Sequence, residues 1–563
     1  MFARLPILLI DCQTTGTRPD QSHIVEVAWS LTSAEAIADG PGAYTVESTL
    51  VRLPDGATFP RAAQAVSGLS EADLVGAPTA DEVWTSLRAL TEKQPIVAVA
   101  HYARFEEAFL RRWAEERDEV FPFEPAMVCT HRFAKRLLPG LPSAALRAVA
   151  GFLGRDLPEL RRARENVEAT AWIWERLVAR FEVEEVSAQS VPFIDVAELR
   201  AWIDIKPKKL PKGTAIPVPR VSMTPRETRL ALPDTPGIYR FLSRNGRVLY
   251  VGKATSLKDR VNSYYRSQRT TRKKLKELMS QVHDVRVTEV ATDVEAALLE
   301  TDEIKHLMPP YNIAMRGQRT APIFCARDFS DAAQIPDLAF PLGPFASVDT
   351  FDELHALITA LETGERVSNL FWGMVEEEVI LEGLEVFRAR HRLSEAVAPS
   401  ELLTIGAKKW ARDAAEAATQ GREAEAGEVE RIWDAAEVAD SLERRLARLV
   451  RTVRGARWRC RLTDATLVWE VPGRGRRCLE LRSAKIVESR WLEADAMEPV
   501  PETWRRSLVE RQGLVLGESF DRMRVALTEL RRVASTGKAT LRLGPGRRTL
   551  SGEHLARALD FCR

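Results

Sequence analysis

The chain has 563 residues, with 81 Lys and Arg against 80 Asp and Glu, for a formal net charge of +1 at pH 7. At roughly 150 residues per domain this length suggests three to four domains, and the near-zero charge excludes a uniformly basic nucleic-acid coat, so any DNA contact must come from a local cluster. Cys12, Cys129, Cys325, Cys460, Cys478 and Cys562 lie far apart, with no CxxC pair and no histidine pairing. Neither a zinc ribbon, an iron–sulfur cluster nor a disulfide scaffold is expected, and a reducing cytoplasm fits. The apolar run Leu5 to Ile10 is too short to span a bilayer, so neither a signal peptide nor a membrane segment is expected.

Residues 1–182 read as α/β. An apolar strand from Leu5 to Ile10 ends at Asp11 and a Thr-Thr-Gly turn, and a second strand pattern runs from Ile24 to Leu31. The run Ile96 to Ala100 reads as a buried strand leading into His101 and a helix with Phe105, Phe109 and Leu110 on one face. A closing helix is predicted from about Glu165 to Arg180. Residues 183–232 shift in composition: Lys206-Pro-Lys-Lys-Leu-Pro-Lys212 and the prolines at 217, 219 and 225 predict a partly extended linker.

Residues 233–316 predict a compact α/β unit, 317–425 a mostly helical extension, and 426–563 an α+β module with no assigned chemistry. In that last region a long helix is predicted around Glu428 to Val453, with Ile432, Leu442, Leu446, Leu449 and Val453 near heptad spacing. It reads either as a helix packed on its own domain or as a partner-binding coiled coil. Two alternating runs, Trp458 to Val471 and Cys478 to Val487, predict strands joined at Pro472-Gly-Arg-Gly475. No helix opens after those glycines, so they form a hairpin turn and not a phosphate loop.

The most informative stretch is Gly237 to Asn312. Pro236-Gly-Ile-Tyr239 and Leu249-Tyr-Val-Gly-Lys253 predict two short strands that carry Tyr239 and Tyr250 side by side, joined by a hairpin at Asn245-Gly246. A helix follows in which Arg260 and Tyr264 are four residues apart and share a face. Leu298, Leu299 and Ile304 surround Glu300 with the pattern of a buried helix. A carboxylate there needs a partner, either a divalent metal or the plainer choices Lys305 and Arg260. Between Lys253 and Lys276 nine basic residues face one acid, Asp259, a local +8 with Tyr264 and Tyr265 interleaved. That density suits a phosphate backbone, with Lys258, Arg266, Arg272, Lys273 and Lys274 as candidate DNA contacts.

These motifs closely resemble the GIY-YIG nuclease family in its UvrC and Cho branch, including Glu295-Ala-Ala-Leu-Leu-Glu300 and Pro310-Tyr-Asn-Ile313. The resemblance implies that Glu300 holds one Mg²⁺ (or Mn²⁺). It further implies that Tyr250 helps take a proton from water with Tyr239 beside it, that Lys253 and Arg260 steady phosphate charge, and that Tyr264 and Asn312 shape the site. A tyrosine with pKa near 10 needs nearby cations to act as a base at neutral pH: three units correspond to about 4 kcal/mol.

Asp11-Cys-Gln-Thr-Thr-Gly16, His101-Tyr-Ala-Arg-Phe-Glu106 and Arg161-Arg-Ala-Arg-Glu-Asn166 resemble the motifs of proofreading-type 3′–5′ exonucleases such as the DNA polymerase III epsilon subunit. The resemblance implies an RNase H-like fold with two metal ions. Here the acids are reduced to Asp11 and Glu106, with Gln13 and Asn166 at the other two carboxylate positions and Arg161 where the general-base histidine belongs. Glu165 and Glu168 point about 100° and 200° away from Asn166 around their helix and do not substitute for the lost acid. Two carboxylates and an arginine carry a net −1 against two divalent cations, so no hydrolysis is expected here. His101 matches a structural position of the motif.

Phe340-Pro-Leu-Gly-Pro-Phe345 resembles the UvrC phrase after the nuclease domain. A cysteine cluster, a UvrB-binding helical hairpin and a second nuclease domain are not apparent. The sequence therefore predicts an α/β multidomain protein: an RNase H-like exonuclease fold, a GIY-YIG domain and an α+β C-terminal region. The expected activity is a Cho-like single incision of double-stranded or damaged DNA in repair, with UvrA- or UvrB-type proteins as possible partners. The alternatives are an active dual nuclease and a non-catalytic DNA-binding scaffold.

Overall fold

The computed structural model describes residues 2–40, 42–92, 96–123, 127–187, 196–204, 224–266, 272–312, 322–364, 371, 375–420, 433–493, 507–543 and 548–559. The chain divides into two compact units, Met1–Ala291 with Leu307–Ile313, and Thr292–His306 with Ala314–Arg563. The basic run of the expected linker lies outside the described residues, as do Arg269 and the start of the predicted Glu428 helix.

The first unit opens with a five-stranded sheet: β1 (Ile7–Thr14), β2 (Ile24–Thr32), β3 (Glu47–Leu50), β4 (Val97–Ala100) and β5 (Val128–Cys129), in the order β3-β2-β1-β4-β5. β1 runs antiparallel to β2 and parallel to β4, and β4 runs parallel to β5. As the middle strand it is covered on both faces, and Ile7 to Ile10 are fully buried, which explains an unbroken apolar run in place of alternation. The strand does not stop at Asp11, as expected from the sequence, but carries both Asp11 and Gln13 on its own backbone.

The helix Ala163–Ser187 closes this sheet. Ala163, Val167, Ala171, Trp174, Val178 and Phe181 recur every three or four residues and are all buried. The predicted linker begins later than its composition suggested and contains structure. The helix Val196–Asp204 buries Leu199 and Ile203 in the same core, and Trp202 meets Phe133 and Phe181 edge-on. Its apolar residues are four apart, a signal too short to stand out beside the prolines that follow.

β6 (Gly237–Leu242), β7 (Val248–Ala254) and β8 (Asp284–Glu289) form an antiparallel sheet in the order β7-β6-β8. The Asn245-Gly246 hairpin is present, with Gly246 at φ 79°, where a side chain would be strained. Within this unit the two sheets are tied together by polar contacts: Ser280 Oγ accepts from Ser143 N at 2.9 Å, Ser243 Oγ donates to Asp156 at 2.8 Å, and Arg147 pairs with Glu277 at 3.2 Å.

In the second unit, residues 322–345 are not helical as expected. They form a small sheet of β9 (Ile323–Cys325), β10 (Ala332–Ala333) and β11 (Leu342–Phe345), ordered β10-β9-β11. These strands are only two to four residues long, below the length at which periodicity can be read. Helices Asp349–Thr363, Glu377–His391 and Pro399–Gln420 follow. The long helix runs Ala435–Arg461, capped by Asp434, whose side chain accepts from Glu437 N at 2.8 Å. Its heptad-like face, Leu442, Leu446, Leu449 and Val453, is buried against Leu357, Phe387 and Leu402 of its own unit.

β12 (Ala465–Val471), β13 (Gly475–Arg482), β14 (Lys485–Leu492), β15 (Ala539–Leu543) and β16 (Arg548–Ser551) make an antiparallel sheet in the order β14-β13-β12-β15-β16. The β12–β13 hairpin falls where the sequence placed it. Trp458 to Arg461, expected as the start of a strand, is the last turn of the long helix. Alternating Arg and apolar residues imitate a strand there, although Ala456, Trp458 and Cys460 are buried as helix residues.

Candidate active sites

On β6 and β7, Tyr239 pairs in register with Gly252, and Tyr250 with Phe241. The two tyrosines are therefore diagonal neighbours, with ring centroids 6.1 Å apart, and not directly opposite. Gly252 is required by this arrangement: a Cβ on it would collide with the Tyr239 hydroxyl and crowd the Tyr250 ring. Tyr239 is fully buried, and its hydroxyl lies 2.7 Å from the hydroxyl of Tyr264 on the helix Leu257–Arg266. Burial raises the Tyr239 phenol far above its ordinary value, so it stays protonated. Arg260 Nε donates to the same hydroxyl across 3.4 Å, and its guanidinium carbon sits 5.3 Å from the centre of the Tyr264 ring. The expected shared face of Arg260 and Tyr264 is thus used to bring two groups to one phenol.

Tyr250 is half-buried and Lys253 exposed. Asn312 is buried and serves the backbone, accepting from Val251 N at 2.9 Å and donating to Val251 O at 2.8 Å. It pins the segment after Leu307 against β7, helped by Tyr311, whose hydroxyl donates to Glu277 at 2.7 Å. Arg272, Lys273 and Lys274 are exposed at the start of the helix Lys273–Met279, and Lys258 is half-buried. The backbone of Arg266 closes the preceding helix.

Glu300 lies on the helix Asp293–Leu307 and is half-buried, as is Leu299, whereas Leu298 and Ile304 are buried. The helix face is therefore less enclosed at Glu300 than its apolar neighbours suggested. Lys305, one plain candidate partner, is 3.0 Å from Asp521. Sequence reasoning passed over the fully engaged acid of this helix. Glu295 is buried and takes Arg477 Nε at 3.2 Å, as well as the Ser489 hydroxyl. Asp302 receives Arg522 Nε at 2.7 Å. A buried arginine on a strand facing a buried glutamate leaves no local pattern, because 182 residues separate the pair.

The exonuclease-like site gathers most of its predicted residues. Asp11 Oδ2 accepts from Asn166 Nδ2 at 3.0 Å and from Gln13 Nε2 at 3.2 Å. Burial pushes the Asp11 carboxyl up to about 7, against the lowering effect of those two amides. Glu106 is buried beside it and is also raised, by burial first and by Asp11 second. Its Oε2 is buried with no hydrogen-bond partner among the described residues. Two amides donate into the lone pairs that metal ions would need, so this donor set does not fit a two-metal centre.

Arg161 does not reach this cluster: its side chain is exposed and sits 3.6 Å from Glu159. Its neighbour Arg162 turns inward, donating to buried Glu26 at 2.9 and 3.0 Å. Glu26, on β2 opposite Gln13, is an acid the motif comparison missed. Its placement inside the apolar run Ile24 to Trp29 was the available signal. Glu165 is spent on the helix start, accepting from Arg161 N and Arg162 N at 2.9 and 3.3 Å. His101 is structural: its ring nitrogens face Thr130 Oγ1 at 2.9 Å and Ala144 O at 3.0 Å, and burial lowers its pKa to about 3.

Residues 8–162 match the exonuclease family model, and residues 235–313 match the UvrC-like GIY-YIG domain model. One chain carries both domains. A Mycobacterium tuberculosis protein named as a bifunctional exonuclease/endonuclease is 29% identical over 310 residues, covering 54% of this chain and 44% of that protein. The UvrABC system protein C of Legionella pneumophila strain Lens is 46% identical over 91 residues, 16% of this chain and 15% of its own. That of Flavobacterium psychrophilum is 36% identical over 136 residues, 23% and 22%. The chain thus spans less than half the length of these relatives. The magnesium-bound GIY-YIG endonuclease domain of Thermotoga maritima UvrC is 32% identical, covering 16% of this chain and 93% of that one, with a TM-score of 0.14. No helix among the described residues is long and apolar enough to cross a membrane.

Proposed function

We propose that this protein is a divalent-metal-dependent, structure-specific DNA endonuclease acting in repair. In this reading the GIY-YIG module makes one incision, and the exonuclease fold holds DNA or a partner protein without hydrolysing it. The observation that carries it is the tyrosine cluster, with Tyr264 and Arg260 gathered at the Tyr239 phenol while Tyr250 stays half-buried beside them.

Glu300 is the assigned metal ligand. Among the described residues no group of three or more His, Cys, Asp and Glu is poised to hold an ion. A single carboxylate suits Mg²⁺ or Mn²⁺, hard cations of which Mg²⁺ keeps several waters when protein ligands are few. When bound, the ion supplies positive charge at the scissile phosphate. Tyr250, as its phenolate, would take the proton of the attacking water and become the neutral phenol, an ionisation that the cationic charge of Lys253 and Arg260 favours. Tyr239 stays protonated and keeps the neighbouring hydroxyls oriented. Lys253 and Arg260 steady the phosphate, and Arg272, Lys273 and Lys274 track the flanking backbone with Lys258 and Arg266. Asn312 acts through Val251, as a positioning residue for β7.

A second reading, an active dual nuclease, is favoured by the retention of Asp11 and Glu106 in one buried cluster and by the name of the Mycobacterium relative. In a third, both folds only bind DNA. Plasmid nicking with Mg²⁺, on supercoiled and lesion-bearing substrates, separates them. Nicking that ends with Glu300→Ala and survives Asp11→Ala supports the proposal. Shortening of a labelled single strand supports the dual nuclease, and binding without nicking supports the scaffold. A role for UvrA- or UvrB-type proteins in delivery is tested by adding them to the same assay.

A further inference from the structure

Residues Thr292–His306, with the helix that carries Glu300, belong to the second unit. The C-terminal module, to which the sequence assigned no chemistry, is what holds that helix there. Glu295 takes Arg477 Nε of β13 at 3.2 Å and the Ser489 hydroxyl of β14. Asp302 takes Arg522 Nε at 2.7 Å, and Lys305 Nζ stands 3.0 Å from Asp521, both partners lying on the helix Glu518–Ala534. A looser contact, Asp293 to Arg532 at 3.6 Å, reaches the same helix. Val294 and Leu298 are buried in one apolar core with Leu479 and Leu527 of the module.

The closer anchors are not spread round the helix. At about 100° per residue, Val294, Glu295, Leu298, Asp302 and Lys305 fall within an arc of about 100°, and Glu300 stands about 170° from its centre. The module therefore grips the face opposite Glu300. Glu295 and Asp302 are about 10 Å apart along the axis, and Lys305 is about 5 Å further on, so the helix is fixed against tilt as well as roll. Apolar burial is non-directional, whereas a guanidinium hydrogen-bonded to a carboxylate fixes a direction. The side chains of Arg477 and Glu295 are each 9% exposed, and buried pairs of this kind add little net stability over apolar residues of the same volume. Their gain here is orientation. A roll of about 20° would carry a group about 5–6 Å from the axis through about 2 Å, the length of a whole Mg–O bond.

We propose that the C-terminal module is a positioning element of the nuclease reaction: through Arg477, Asp521 and Arg522 it sets the rotation of the Glu300 helix, and so the place where that carboxylate takes a divalent cation. These three are positioning residues that act through the helix. The proposal rests on the reading of Glu300 as the metal ligand.

The test is Mn²⁺ binding to the full chain without DNA, read by electron paramagnetic resonance of the free ion, beside plasmid nicking kinetics with Mg²⁺. Arg522→Ala is the informative variant, because its partner Asp302 is 37% exposed and is not left as a buried charge. It is expected to raise the Mn²⁺ dissociation constant on the order of tenfold and to lower kcat by a similar factor, with KM for DNA unchanged. Loss of a positive charge by itself would tighten cation binding, so weakening reports position and not field. Arg522→Lys is expected to restore most of both values. If Arg522→Ala does not fold, Lys305→Met/Asp521→Leu removes a second anchor without stranding a charge and carries the same expectation. Leu555→Val, in the same apolar core on the helix Gly552–Leu559, controls for lost stability and is expected to bind Mn²⁺ as the parent does. With Glu300→Ala weakening Mn²⁺ binding, an unchanged affinity in Arg522→Ala or an equal loss in Leu555→Val overturns the proposal and leaves the metal reading standing. If Glu300→Ala binds Mn²⁺ as tightly as the parent, the metal reading falls and the proposal falls with it.

Discussion

At the exonuclease-like site a buried carboxylate, Asp11, is met by the amides of Gln13 and Asn166; at the GIY-YIG site a buried phenol, Tyr239, is met by another phenol and a guanidinium. The Asp11 cluster and the Tyr239 cluster are both inside the first unit, whereas Glu300 belongs to the second. At the first site, the amides of Gln13 and Asn166 both donate to Asp11 Oδ2, while Glu106 Oε2 is buried with no hydrogen-bond partner among the described residues. The second site buries Tyr239 completely but leaves Tyr250 half-buried and Lys253 exposed. Amides of nearly the same shape as carboxylates preserve packing while removing charge, so a fold can persist where the charge of its site has changed.

The sharpest way to break this contrast is at the retained site. Glu300→Ala is expected to lower plasmid nicking on the order of 10²–10³-fold with little change in DNA binding, and Tyr250→Phe to lower it by a similar order. The same measurement on Asp11→Ala should show no loss. If Asp11→Ala abolishes nicking and Glu300→Ala does not, the roles of the two domains are reversed.

A second test concerns the helix that carries Glu300. Removing one partner of the buried Arg477–Glu295 pair leaves a charge without compensation. Arg477→Ala is therefore expected to cost about 3–5 kcal/mol in chemical denaturation, and the double change Arg477→Met/Glu295→Leu much less. Equal losses in the two variants would show that the pair does not act as a unit.

The exonuclease site offers a pH test. Asp11 is raised by burial to about 7 from an ordinary 3.8, and Glu106 is raised as well, so the folded state holds protons that the unfolded chain releases. Stability from these groups is present below about pH 4 and is lost as pH rises towards 7 and above. Asp11→Asn/Glu106→Gln should flatten that fall and raise the thermal midpoint at pH 8, by a gain on the order of a few kcal/mol. His101 has the opposite sign: its pKa, lowered by burial to about 3, removes stability as pH falls from about 6.5 towards 3. A variant less stable at pH 8 than the parent would mean that the two carboxylates are compensated by something the site retains, a bound cation foremost.

The smallest expected effect is at Gly252. Gly252→Ala forces the Tyr239 ring aside and is expected to cost about 1–3 kcal/mol, with nicking falling further than the loss of folded protein explains. If the variant folds and nicks normally, the close approach of Tyr239 to β7 is not needed for activity.

Much of the first unit was legible in its sequence. Apolar runs placed β2 and β4 to within a residue or two, Asn245-Gly246 placed a hairpin, and spacing put Arg260 and Tyr264 on one face, because all of these are local consequences of chain geometry. The degenerate exonuclease residues were also readable, since motif order survives even where charge does not. Elsewhere the local signal was absent or misleading. The helix Val196–Asp204 hid behind prolines, β9 to β11 were too short to show a period, and the last turn of the long helix imitated a strand.

What the sequence by itself determined is the set of chemical groups: two tyrosine-bearing strands, one glutamate on an apolar helix, and an exonuclease framework short of acids. Tertiary structure alone decided which partners those groups have. Arg162 and not Arg161 turns inward, and Arg477 meets Glu295 from 182 residues away. Such pairings depend on long-range closure of the chain, which leaves no periodic trace, whereas helices, strands and turns are written in the spacing of neighbouring residues.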